Sequence, residues 1–559
     1  MTLRQKAVVG FLNEFAIALQ LHDANPFKIR AFENAARAIE SCQASVPALI
    51  AEGRLGEIDG VGEAIRGLIM ELAESGRCRE LDALRAEIPP GLFELLQIRG
   101  LGGKKVRRLW SELQVVDESS LEAACLAGRV QALKGFGAKT EANILEGIEK
   151  RKAYRGRYLG WVASHRAEAL LVALRRLPGI ERVEIAGSLR RRAEVVKDID
   201  LVAIGTGGGE LAAAIGALEG VVGVEMAGET KIVFRLEMGI AVDLRLVEAA
   251  QFPFAWLHTT GSREHNVELR GRAKDRGLKL NEYGLFDAAE RSCVCDDEAA
   301  VYRALGLAYI EPERREGLGE CDVAAEGEPP RLVERGDLRG VVHLHTTASD
   351  GANSLREMVD AAVAAGYRYI GVTDHSVAAS YARGLSVEAI DEQHGAIDAL
   401  QAERPTIRIL KGIEADILQD GSLDYDESVW RRFDFVIASI HSRFRMSGEA
   451  ITERVLSALE NPHVSILGHP SGRLLLKREA YELDFERVLT RCAALGVAVE
   501  INGNPRRLDL DWRLHRRALE LGVTLAITPD AHSVGELDYV RCSLGTARKG
   551  GVQAAQVLN

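Results

Sequence analysis

The sequence predicts a multidomain protein of mixed α+β and α/β class. It should have a helical N-terminal region, a central region with a β-sheet, and a C-terminal barrel of seven β/α units. The chain has 559 residues, which are too many for one hydrophobic core. Short helix-like segments with glycine-rich turns extend to about residue 150. From about residue 338, seven apolar strand-like runs alternate with helical segments, which is the pattern of parallel β/α units.

Three similar turns recur in the N-terminal region, each with a G-x-G pattern between two helical segments. They are IDGVGEAI with Gly60 and Gly62, IRGLGGKKV with Gly100 and Gly102, and LKGFGAKTEANI with Gly135 and Gly137. The backbone N–H groups at the N-terminus of a helix can in general hold a phosphate. One such turn is weak evidence of phosphate binding, because a tight helical hairpin needs glycine in any case. Three in succession are stronger evidence.

Two carboxylates of the central region, Asp198 and Asp200, lie one residue apart in the strand-like run DIDLVAIG, so both face one side of a sheet. A predicted hairpin carries a third carboxylate, Asp243, between apolar residues, where an unpartnered charge is costly. The DID run alone fits a solvated edge strand. Three converging carboxylates suggest a site for two Mg²⁺ or Mn²⁺ ions, and two ions suggest in-line phosphoryl or nucleotidyl transfer.

A Gly-Ser turn, Gly187 and Ser188, stands just before this strand. Exposed backbone N–H groups in such a turn can hold a phosphate. Arg190 and Arg191 follow the turn and add positive charge. The turn therefore supports the interpretation of the three carboxylates as a site for a phosphate-containing substrate.

Nearly every strand-like run of the C-terminal region ends in residues of metal-ligand type, including Asp374 and His375 after the second run. In a β/α barrel, side chains at the carboxyl ends of the strands converge on one rim. A single pair of histidines is often accidental, but nine ligand-type residues at successive strand ends are not. They are too many for one ion, and imidazole with carboxylate suits zinc, manganese or iron. The nine candidates are His343, His345, Asp350, His375, Glu414, His441, His469, Asp530 and His532.

Other segments give weaker predictions. Residues 318–337 combine glycine, proline and acidic residues without a hydrophobic period, so we expect an inter-domain linker. Arg473, in GHPSGR, fits either a contact to a substrate phosphate or an ordinary surface arginine. His394, His463 and His515 fall within helices or loops, and we expect them to be structural.

The composition limits the class of protein. The formal net charge is −11, which alone disfavours a nucleic-acid partner, but basic segments such as GSLRRRAEVVK show that the charge is unevenly distributed. No apolar run is long enough to cross a membrane, and the N-terminus lacks the features of a signal peptide. Eight scattered cysteines without a CxxC pair indicate reduced thiols. We expect a cytoplasmic, nucleoid-associated protein without a membrane partner.

The C-terminal motifs HLHTTASDG, TDHS, GIEADI, SIHS, GHP and PDAH resemble those of the PHP domain, named for polymerase and histidinol phosphatase, over about residues 338–559. The resemblance implies a distorted (β/α)7 barrel. It also implies up to three ions of zinc, manganese or iron, held by the nine residues above, with Glu414 bridging two ions.

Residues 1 to about 315 resemble family X DNA polymerases, in the DIDLVAIG region, in FAWLHTTGSREHNVELRGRAKDRGLKLNEYGLF and in the three turns, which resemble helix-hairpin-helix motifs. The resemblance implies a nucleotidyltransferase palm with a thumb. It implies that Asp198 and Asp200 bind both metal ions, and that Asp243 binds the catalytic ion and activates the primer 3′-OH. The implied nucleotide contacts are Gly187, Ser188, Arg191, Gly261 and Asn266. The implied DNA contacts are Lys28, Arg270, Gly60, Gly62, Gly100, Gly102, Gly135 and Gly137, with Glu282 and Tyr283 at a closure position.

The resemblance also implies domain boundaries. They are 1–85 for a helical DNA-binding domain, 86–150 for helix-hairpin-helix fingers, 151–248 for the palm, 249–317 for the thumb, 318–337 for the linker and 338–559 for the PHP barrel.

Two positions depart from the family pattern. The Schiff-base lysine of lyase-active relatives corresponds to Leu68, and its companion lysine to Ala64, so the usual lyase nucleophile is missing. Lys28 keeps a position that binds a 5′-phosphate. The family has at least one aromatic residue before TGS, whereas this chain has His258 and Thr259, which puts discrimination against ribonucleotides in question.

The leading hypothesis is a monomeric, template-directed DNA polymerase that fills short gaps in base excision repair, acting on gapped or nicked DNA with dNTPs. The PHP barrel would be a metal-dependent 3′-5′ exonuclease, with AP endonuclease activity as an addition. Two alternatives remain open. In the first, the PHP module would be a small-molecule phosphoesterase. In the second, the chain would be a scaffold that binds DNA ends and has weak polymerase activity.

Overall fold

The computed structural model describes residues 5–40, 42, 46–98 and 100–559. The first residues of the expected N-terminal helix and Arg99 of the second hairpin turn lie outside the described residues. The chain divides into two compact units, one ending at Arg155 and the other beginning at Gly156. Within the described residues, no helix combines the length and apolar character that crossing a membrane requires.

The N-terminal unit is helical. An apolar core from all of its main segments includes Phe15 stacked on Phe32, with ring centroids 4.3 Å apart. Its helices are α1 (Gln5–Leu21), α2 (Pro26–Glu40), α3 (Val46–Ala51), α4 (Glu63–Ser75), α5 (Arg79–Ala86), α6 (Gly91–Leu95), α7 (Gly103–Leu113), α8 (Glu118–Leu126) and α9 (Ala138–Tyr154).

The second unit begins with the region expected to be a palm, and this region and the one expected to be a thumb are called by these names below. The palm contains a five-stranded sheet, and its strands, whose bounds end this paragraph, have the order β2-β4-β7-β6-β5. Buried and half-buried residues alternate along β6 and β7, so one face of the sheet packs on the core and the other remains accessible. The palm elements are β1 (Tyr158–Leu159), α10 (Gly160–Leu174), β2 (Ile180–Ile185), α11 (Gly187–Arg190), β3 (Val195–Val196), β4 (Asp198–Gly205), α12 (Gly209–Gly216), β5 (Val221–Ala227), β6 (Lys231–Leu236) and β7 (Ala241–Val247).

The thumb follows the palm and extends into the segment expected to be a linker. Residues 320–326 form a helix, and Cys321 and Ala324 of this helix are buried in the thumb core. Glu320 accepts a hydrogen bond from buried His265 at 2.7 Å. The linker prediction is therefore wrong for residues 320–326. The apolar pattern of this segment is too short to show a helical period in the sequence. The thumb elements are α13 (Phe252–Thr260), α14 (Arg263–Asp275), β8 (Lys279–Asn281), β9 (Gly284–Phe286), β10 (Ser292–Cys293), α15 (Glu298–Ala304) and α16 (Glu320–Glu326).

The C-terminal region is a nearly closed barrel of seven parallel strands in sequential order, as the sequence predicted. A bridge between Leu344 and Ala531 joins the first strand segment to the last. Every residue of the first, sixth and seventh strands is buried, as expected for strands covered on both faces. The strands are β11 (Gly340–Val342), β12 (Tyr369–Val372), β13 (Arg408–Asp416), β14 (Phe435–Ser439), β15 (Val464–Leu467), β16 (Ala498–Asn502) and β17 (Leu525–Thr528).

Polar caps fix where most of the surrounding helices begin. Side chains at the N-caps accept hydrogen bonds from backbone N–H groups of the first turn, which have no partner within the helix. These caps are Ser354, Ser386, Ser447, Asp484 and Asp511. The helices are α17 (Leu355–Ala364), α18 (Val387–Glu403), α19 (Glu427–Trp430), α20 (Gly448–Leu459), α21 (Phe485–Leu495), α22 (Trp512–Glu520) and α23 (Val540–Lys549).

Candidate functional site

The palm carboxylates lie on two neighbouring strands of one sheet. β4 and β7 are parallel and adjacent, and their register places Asp200 directly opposite Asp243. Asp198 lies two residues from Asp200 and therefore on the same face. Asp198 is exposed, and Asp200 and Asp243 are half-buried. Lys231 is the cation paired with Asp243, at 2.5 Å.

The crowding of negative charge is strongest at Asp200. Its burial, followed by the nearby charges of Asp198 and Asp243, raises the pKa of Asp200 to about 7. The positive charges of Arg191 and Lys231 only partly offset this effect. A group of three carboxylates that repel one another is a fitting place for divalent cations, because such ions prefer carboxylate oxygen ligands.

The Gly-Ser turn packs directly on these carboxylates. A Cβ atom at Gly187 would lie 1.9 Å from Oδ2 of Asp200, and the residue has a φ of +58°. A side chain at this position is therefore excluded both by space and by backbone conformation. Ser188, the next residue, is half-buried and is the second residue of the short helix α11, which begins at Gly187.

The two arginines after this turn have different surroundings. Arg190 donates to both carboxylate oxygens of buried Glu298, and its guanidinium lies 3.4 Å from the ring centroid of Trp256. Its expected role as a free cation near the substrate is therefore wrong, because it joins the palm to the thumb. Arg191 donates from Nε to Glu316 at 3.1 Å and also bonds the carbonyl of Thr260.

The expected sugar and base contacts lie together at the junction of α13 and α14. Gly261 has a φ of +69°, and a Cβ atom there would lie 3.1 Å from Nη1 of Arg191. Asn266 donates from Nδ2 to the carbonyl of His258 at 2.7 Å. Burial lowers the pKa of His258. The hydroxyl of Thr259 is buried, and the described residues offer it no hydrogen-bond partner.

On the outer face of α14, Arg270 is exposed and donates to the carbonyl of Asn266 at 3.2 Å. Tyr283, at the expected closure position, is 57% exposed. Both side chains are therefore accessible to a partner.

The three hairpin turns share one backbone geometry. In each turn, the first glycine has a positive φ, and these residues are Gly60, Gly100 and Gly135. The second glycine is the extended N-cap residue of the next helix, and these residues are Gly62, Gly102 and Gly137. None of the second glycines has a side chain to cap its helix, so the N–H groups of the first turn of α4, α7 and α9 are presented outwards.

A groove beside the first turn brings several predicted positions together. Lys28, Gly60 and Gly62 line this groove with Ala64 and Leu68. Lys28 is half-exposed and pairs with Glu80 at 2.8 Å. The lyase lysine positions thus line the same groove as Lys28, but they carry no amine.

The nine ligand-type residues of the barrel converge, as the sequence predicted. Ligand atoms lie within 4.8 Å of one another in three overlapping groups. The groups are His343, His345 and Asp530; His345, Asp350, His375 and His532; and His375, Glu414 and His441. His469 completes the set, with Nε2 at 2.9 Å from Oε1 of Glu414.

Glu414 is at the centre of this cluster. Its carboxylate oxygens lie 3.3 Å from Nε2 of His343, 3.0 Å from Nδ1 of His375 and 3.2 Å from Nε2 of His441. Burial opposes ionisation, but the charges of His441, His343 and His375 hold the pKa of Glu414 well below its usual range. A carboxylate with two oxygens directed to different groups fits a bridging ligand.

The cluster passes a simple test of fit for metal ions. Buried polar atoms in proteins almost always have hydrogen-bond partners. Here several buried ring nitrogens make no hydrogen bond of acceptable geometry within the described residues, although two of them face the Glu414 carboxylate. They are Nε2 of His343, both nitrogens of His345, Nδ1 of His375 and Nδ1 of His469. Burial, followed by the nearby imidazoles of His532 and His375, lowers the pKa of His345 to about 3, so it stays neutral, as a metal ligand must be.

Two buried carboxylates orient ligands and were missed in the sequence. Glu500 of β16 bonds Nδ1 of His343, and Asp416 of β13 lies 2.5 Å from Nδ1 of His441. Such contacts fix which ring nitrogen faces an ion. Glu500 lies inside the apolar strand β16, and Asp416 lies two residues after Glu414 in β13. The one signal for them in the sequence is an acidic residue within an apolar strand that has no assigned partner.

Asp374 and Arg473 are not part of the cluster. Asp374 is buried and accepts hydrogen bonds from Thr346, Ser349 and Gln393, so it is a structural residue. Arg473 is neither a surface residue nor a contact near the cluster, because it pairs with Glu194 of the palm. The structure therefore agrees with leaving Asp374 out of the nine candidates, and both readings of Arg473 are corrected.

Two other residues stand at the mouth of the cluster. Arg507 directs Nε to Oδ2 of Asp530 at 3.3 Å, and its side chain is 17% exposed. Tyr381 is 67% exposed, and its ring lies 6.0 Å from that of His375. A partly accessible guanidinium and an open aromatic ring thus border the buried ligands. Neither residue belongs to a motif that the sequence marked.

Comparisons with known proteins agree with this architecture. The family model for the DNA polymerase beta thumb matches residues 255–316, that for a helix-hairpin-helix domain residues 4–78, and that for the PHP domain residues 342–504. The chain is 38% identical over 561 residues to the DNA polymerase/3'-5' exonuclease PolX of Bacillus subtilis, covering 100% of this chain and 97% of that protein. A probable phosphatase of Thermoanaerobacter sp. is 30% identical over 39% of this chain and 88% of its own length.

Proposed function

The chain belongs to the family X DNA polymerases that carry a PHP domain, and we propose that it fills short gaps in DNA and trims 3′ ends at two separate centres. The observation that carries this proposal is the presence of both centres in one chain. Three carboxylates converge on the palm sheet, and nine ligand-type residues converge at the barrel mouth.

In the palm, Asp198, Asp200 and Asp243 are the residues that would hold two Mg²⁺ or Mn²⁺ ions. Such ions, when bound, stabilise the charge that develops on the attacking and leaving oxygens. Asp243 would orient the primer 3′-OH. The backbone N–H groups of the Gly187-Ser188 turn, with Arg191, would hold the triphosphate of the dNTP. Gly261 lies beside Arg191, and Gly261 and Asn266 would contact the sugar and base of the nucleotide.

DNA would be held mainly through its backbone. The outward N–H groups of the three hairpin turns suit phosphates and carry no sequence information. Lys28 lies in the groove of the first turn, where a 5′-phosphate at a gap would bind, and Arg270 would contact the template side. Because Leu68 and Ala64 occupy the lyase positions of this groove, we propose that gap recognition occurs without Schiff-base chemistry.

In the barrel, the nine ligands would hold up to three ions of zinc, manganese or iron, with Glu414 between them. Such ions activate water and stabilise charge on a phosphoryl oxygen. Arg507 would bind a non-bridging oxygen of the terminal phosphodiester. Tyr381, open to solvent beside the cluster, would stack on the 3′-terminal base.

A second candidate function for the barrel is hydrolysis of a small phosphate ester. The 30% identity of a probable phosphatase over 39% of this chain favours it. Competition separates the two candidates. If one site acts on DNA, single-stranded DNA will inhibit hydrolysis of p-nitrophenyl phosphate, whereas a dedicated small-molecule site will be indifferent to DNA.

The remaining parts of the proposal concern setting and organisation. We propose a monomer that acts at the nucleoid in the cytoplasm during base excision repair. AP endonuclease activity would be an additional reaction of the barrel. We retain the predicted domain boundaries as part of the proposal, with two changes. The boundary at residue 150 moves to Arg155, after the end of α9, and the thumb extends through α16.

A gel assay tests the two-centre proposal. The substrate is a 5′-phosphorylated DNA with a one-nucleotide gap, incubated in Mn²⁺ with and without dNTPs. Asp198→Ala should lose extension and keep 3′ trimming, and His343→Ala should show the reverse. Trimming by His343→Ala at the wild-type rate would assign the barrel another substrate, and a wild-type protein that does neither would refute the proposal.

A further inference from the structure

The contact between the PHP barrel and the palm and thumb has a uniform polarity. Five ion pairs among the described residues join the two parts, and the barrel supplies the cation in every pair. Three of these cations come from the last helix, α23. The pairs are Arg473 and Arg513 with Glu194, Arg541 with Glu168, Arg548 with Glu313, and Lys549 with Glu316.

Lys549 differs from the other four cations in its burial and its partners. Its side chain is only 4% exposed, and its Nζ lies 4.7 Å from the ring centroid of Trp512. The same Nζ donates to the carboxylate of Glu316 and, at 3.1 Å, to the backbone carbonyl of Arg191. A residue of the barrel therefore bonds directly to the palm backbone at Arg191, just after the short helix α11.

Glu316 connects this lysine to a second cation. Its Oε1 accepts from Nε of Arg191 at 3.1 Å as well as from Lys549. The Arg191 guanidinium is further fixed by the carbonyl of Thr260. Its positive charge acts on Asp200, because it partly offsets the rise in the pKa of this carboxyl group. The three side chains thus form a chain of charges from α23 to the carboxylate site.

The charges of Lys549, Glu316 and Arg191 decide whether this part of the palm is neutral or positively charged. Glu316 alone with Arg191 would cancel the positive charge that a triphosphate needs. With Lys549 included, the triad carries a net positive charge, and the Glu316 carboxylate is shared between two donors. In a partly buried site, such a change of one unit charge is weakly screened.

We propose that Lys549 of the barrel is a positioning residue for nucleotide binding in the palm, acting through Glu316 on Arg191. This inference rests on the proposed function of Arg191 as a triphosphate contact. It makes the PHP barrel part of the structure that binds dNTP, in addition to being a separate nuclease.

Arg548 provides a matched control. It is the neighbouring residue of α23, and it also crosses to the thumb, pairing with Glu313 at 2.9 Å. Neither it nor Glu313 bonds Arg191 in the described contacts. Loss of either cation weakens the same contact between the barrel and the thumb. Only loss of Lys549 removes a hydrogen bond from Glu316, the carboxylate that pairs with Arg191.

The experiment measures single-nucleotide extension and 3′ trimming by the full-length protein. Lys549→Met should raise the KM for dNTP about tenfold with kcat and trimming nearly unchanged. Lys549→Arg should restore the KM, and Arg548→Met should leave it at the wild-type value. Lys549→Gln, which keeps hydrogen-bonding groups, replaces Lys549→Met if that variant does not fold, with the same expected direction.

Two results would overturn the inference. One is a wild-type KM in Lys549→Met or its replacement. The other is an equal rise in Lys549→Met and Arg548→Met, which would mean general loosening of the interface. If the wild-type protein itself fails to bind or incorporate dNTP while Asp198→Ala behaves like wild type, the proposed polymerase function fails, and this inference falls with it.

Discussion

The palm and the barrel both gather carboxylates at strand positions, but only the barrel surrounds them with imidazoles. Asp198 is exposed and Asp243 is 33% exposed, whereas Glu414 is 1% exposed and His343 and His345 are fully buried. The barrel centre holds buried ring nitrogens without a well-formed hydrogen bond, and the palm centre holds carboxylates that repel one another. Under the proposed function, the barrel would supply nearly all of its metal ligands itself, while the palm would need the phosphates of its substrate to complete them.

The largest expected effect is at His345, because it belongs to two of the three ligand groups. His345→Ala should reduce trimming of a labelled single strand in Mn²⁺ by about a thousandfold or more, with extension unchanged. Single-turnover degradation measures this rate. Trimming within tenfold of wild type would contradict the shared-ligand geometry.

The next effect concerns the carboxylates that orient the ligands. Glu500→Gln and Asp416→Asn should each weaken metal affinity or trimming by about 10- to 100-fold, with partial recovery in excess Mn²⁺. Metal titration of trimming provides the measurement. Glu460→Gln, at an exposed pair with Arg491, is the matched control and should behave as wild type.

A smaller effect is expected at the mouth of the barrel. Arg507→Met should raise the KM for a DNA 3′ end about tenfold, because it removes a charged contact to the phosphate. Arg506→Met changes the neighbouring exposed arginine and serves as the control. An equal effect of both substitutions would indicate a general loss of positive charge instead of a specific contact.

The convergence of the two groups of residues could be predicted from the sequence, because it follows from strand periodicity and from the position of residues at strand ends. The assignment of these residues as metal ligands came from the family resemblances and stays a prediction. The register that places Asp200 opposite Asp243 was not predictable, because it depends on which strands become neighbours.

The sequence failed where a residue's role depends on a distant partner. Arg190 and Arg473 read as available cations, but Glu298 and Glu194, far away in the chain, neutralise them. Glu500 and Arg507 carry no motif, and their roles arise only when β16 is placed beside β17 and β11 closes the barrel. Such partners are set by tertiary packing.

The smallest effect sharpens the electrostatic side of the comparison. In protein stripped of metal, the pKa of Asp200 is raised to about 7, so ionisation of Asp200 destabilises the fold. The contribution of Asp200 to the free energy of unfolding should therefore decrease as the pH rises from about 4 through 7. Asp200→Asn should melt at a higher temperature than wild type at pH 8, with a difference that shrinks toward pH 5.

Thermal unfolding in chelator from pH 5 to pH 8 measures this difference. Addition of Mg²⁺ with dNTP should close or reverse it, since bound cations favour the ionised carboxylate. A difference that is independent of pH would show that repulsion among the palm carboxylates is not its cause.

Metal retention tests the central claim most directly. Wild type, Asp198→Ala and Glu414→Gln are passed through gel filtration in metal-free buffer, and the bound metal is measured by mass spectrometry. If the barrel is complete without substrate and the palm is not, wild type and Asp198→Ala will retain the same metal content, and Glu414→Gln will retain much less. Equal losses from Asp198→Ala and Glu414→Gln, or no retained metal in wild type, would contradict this account.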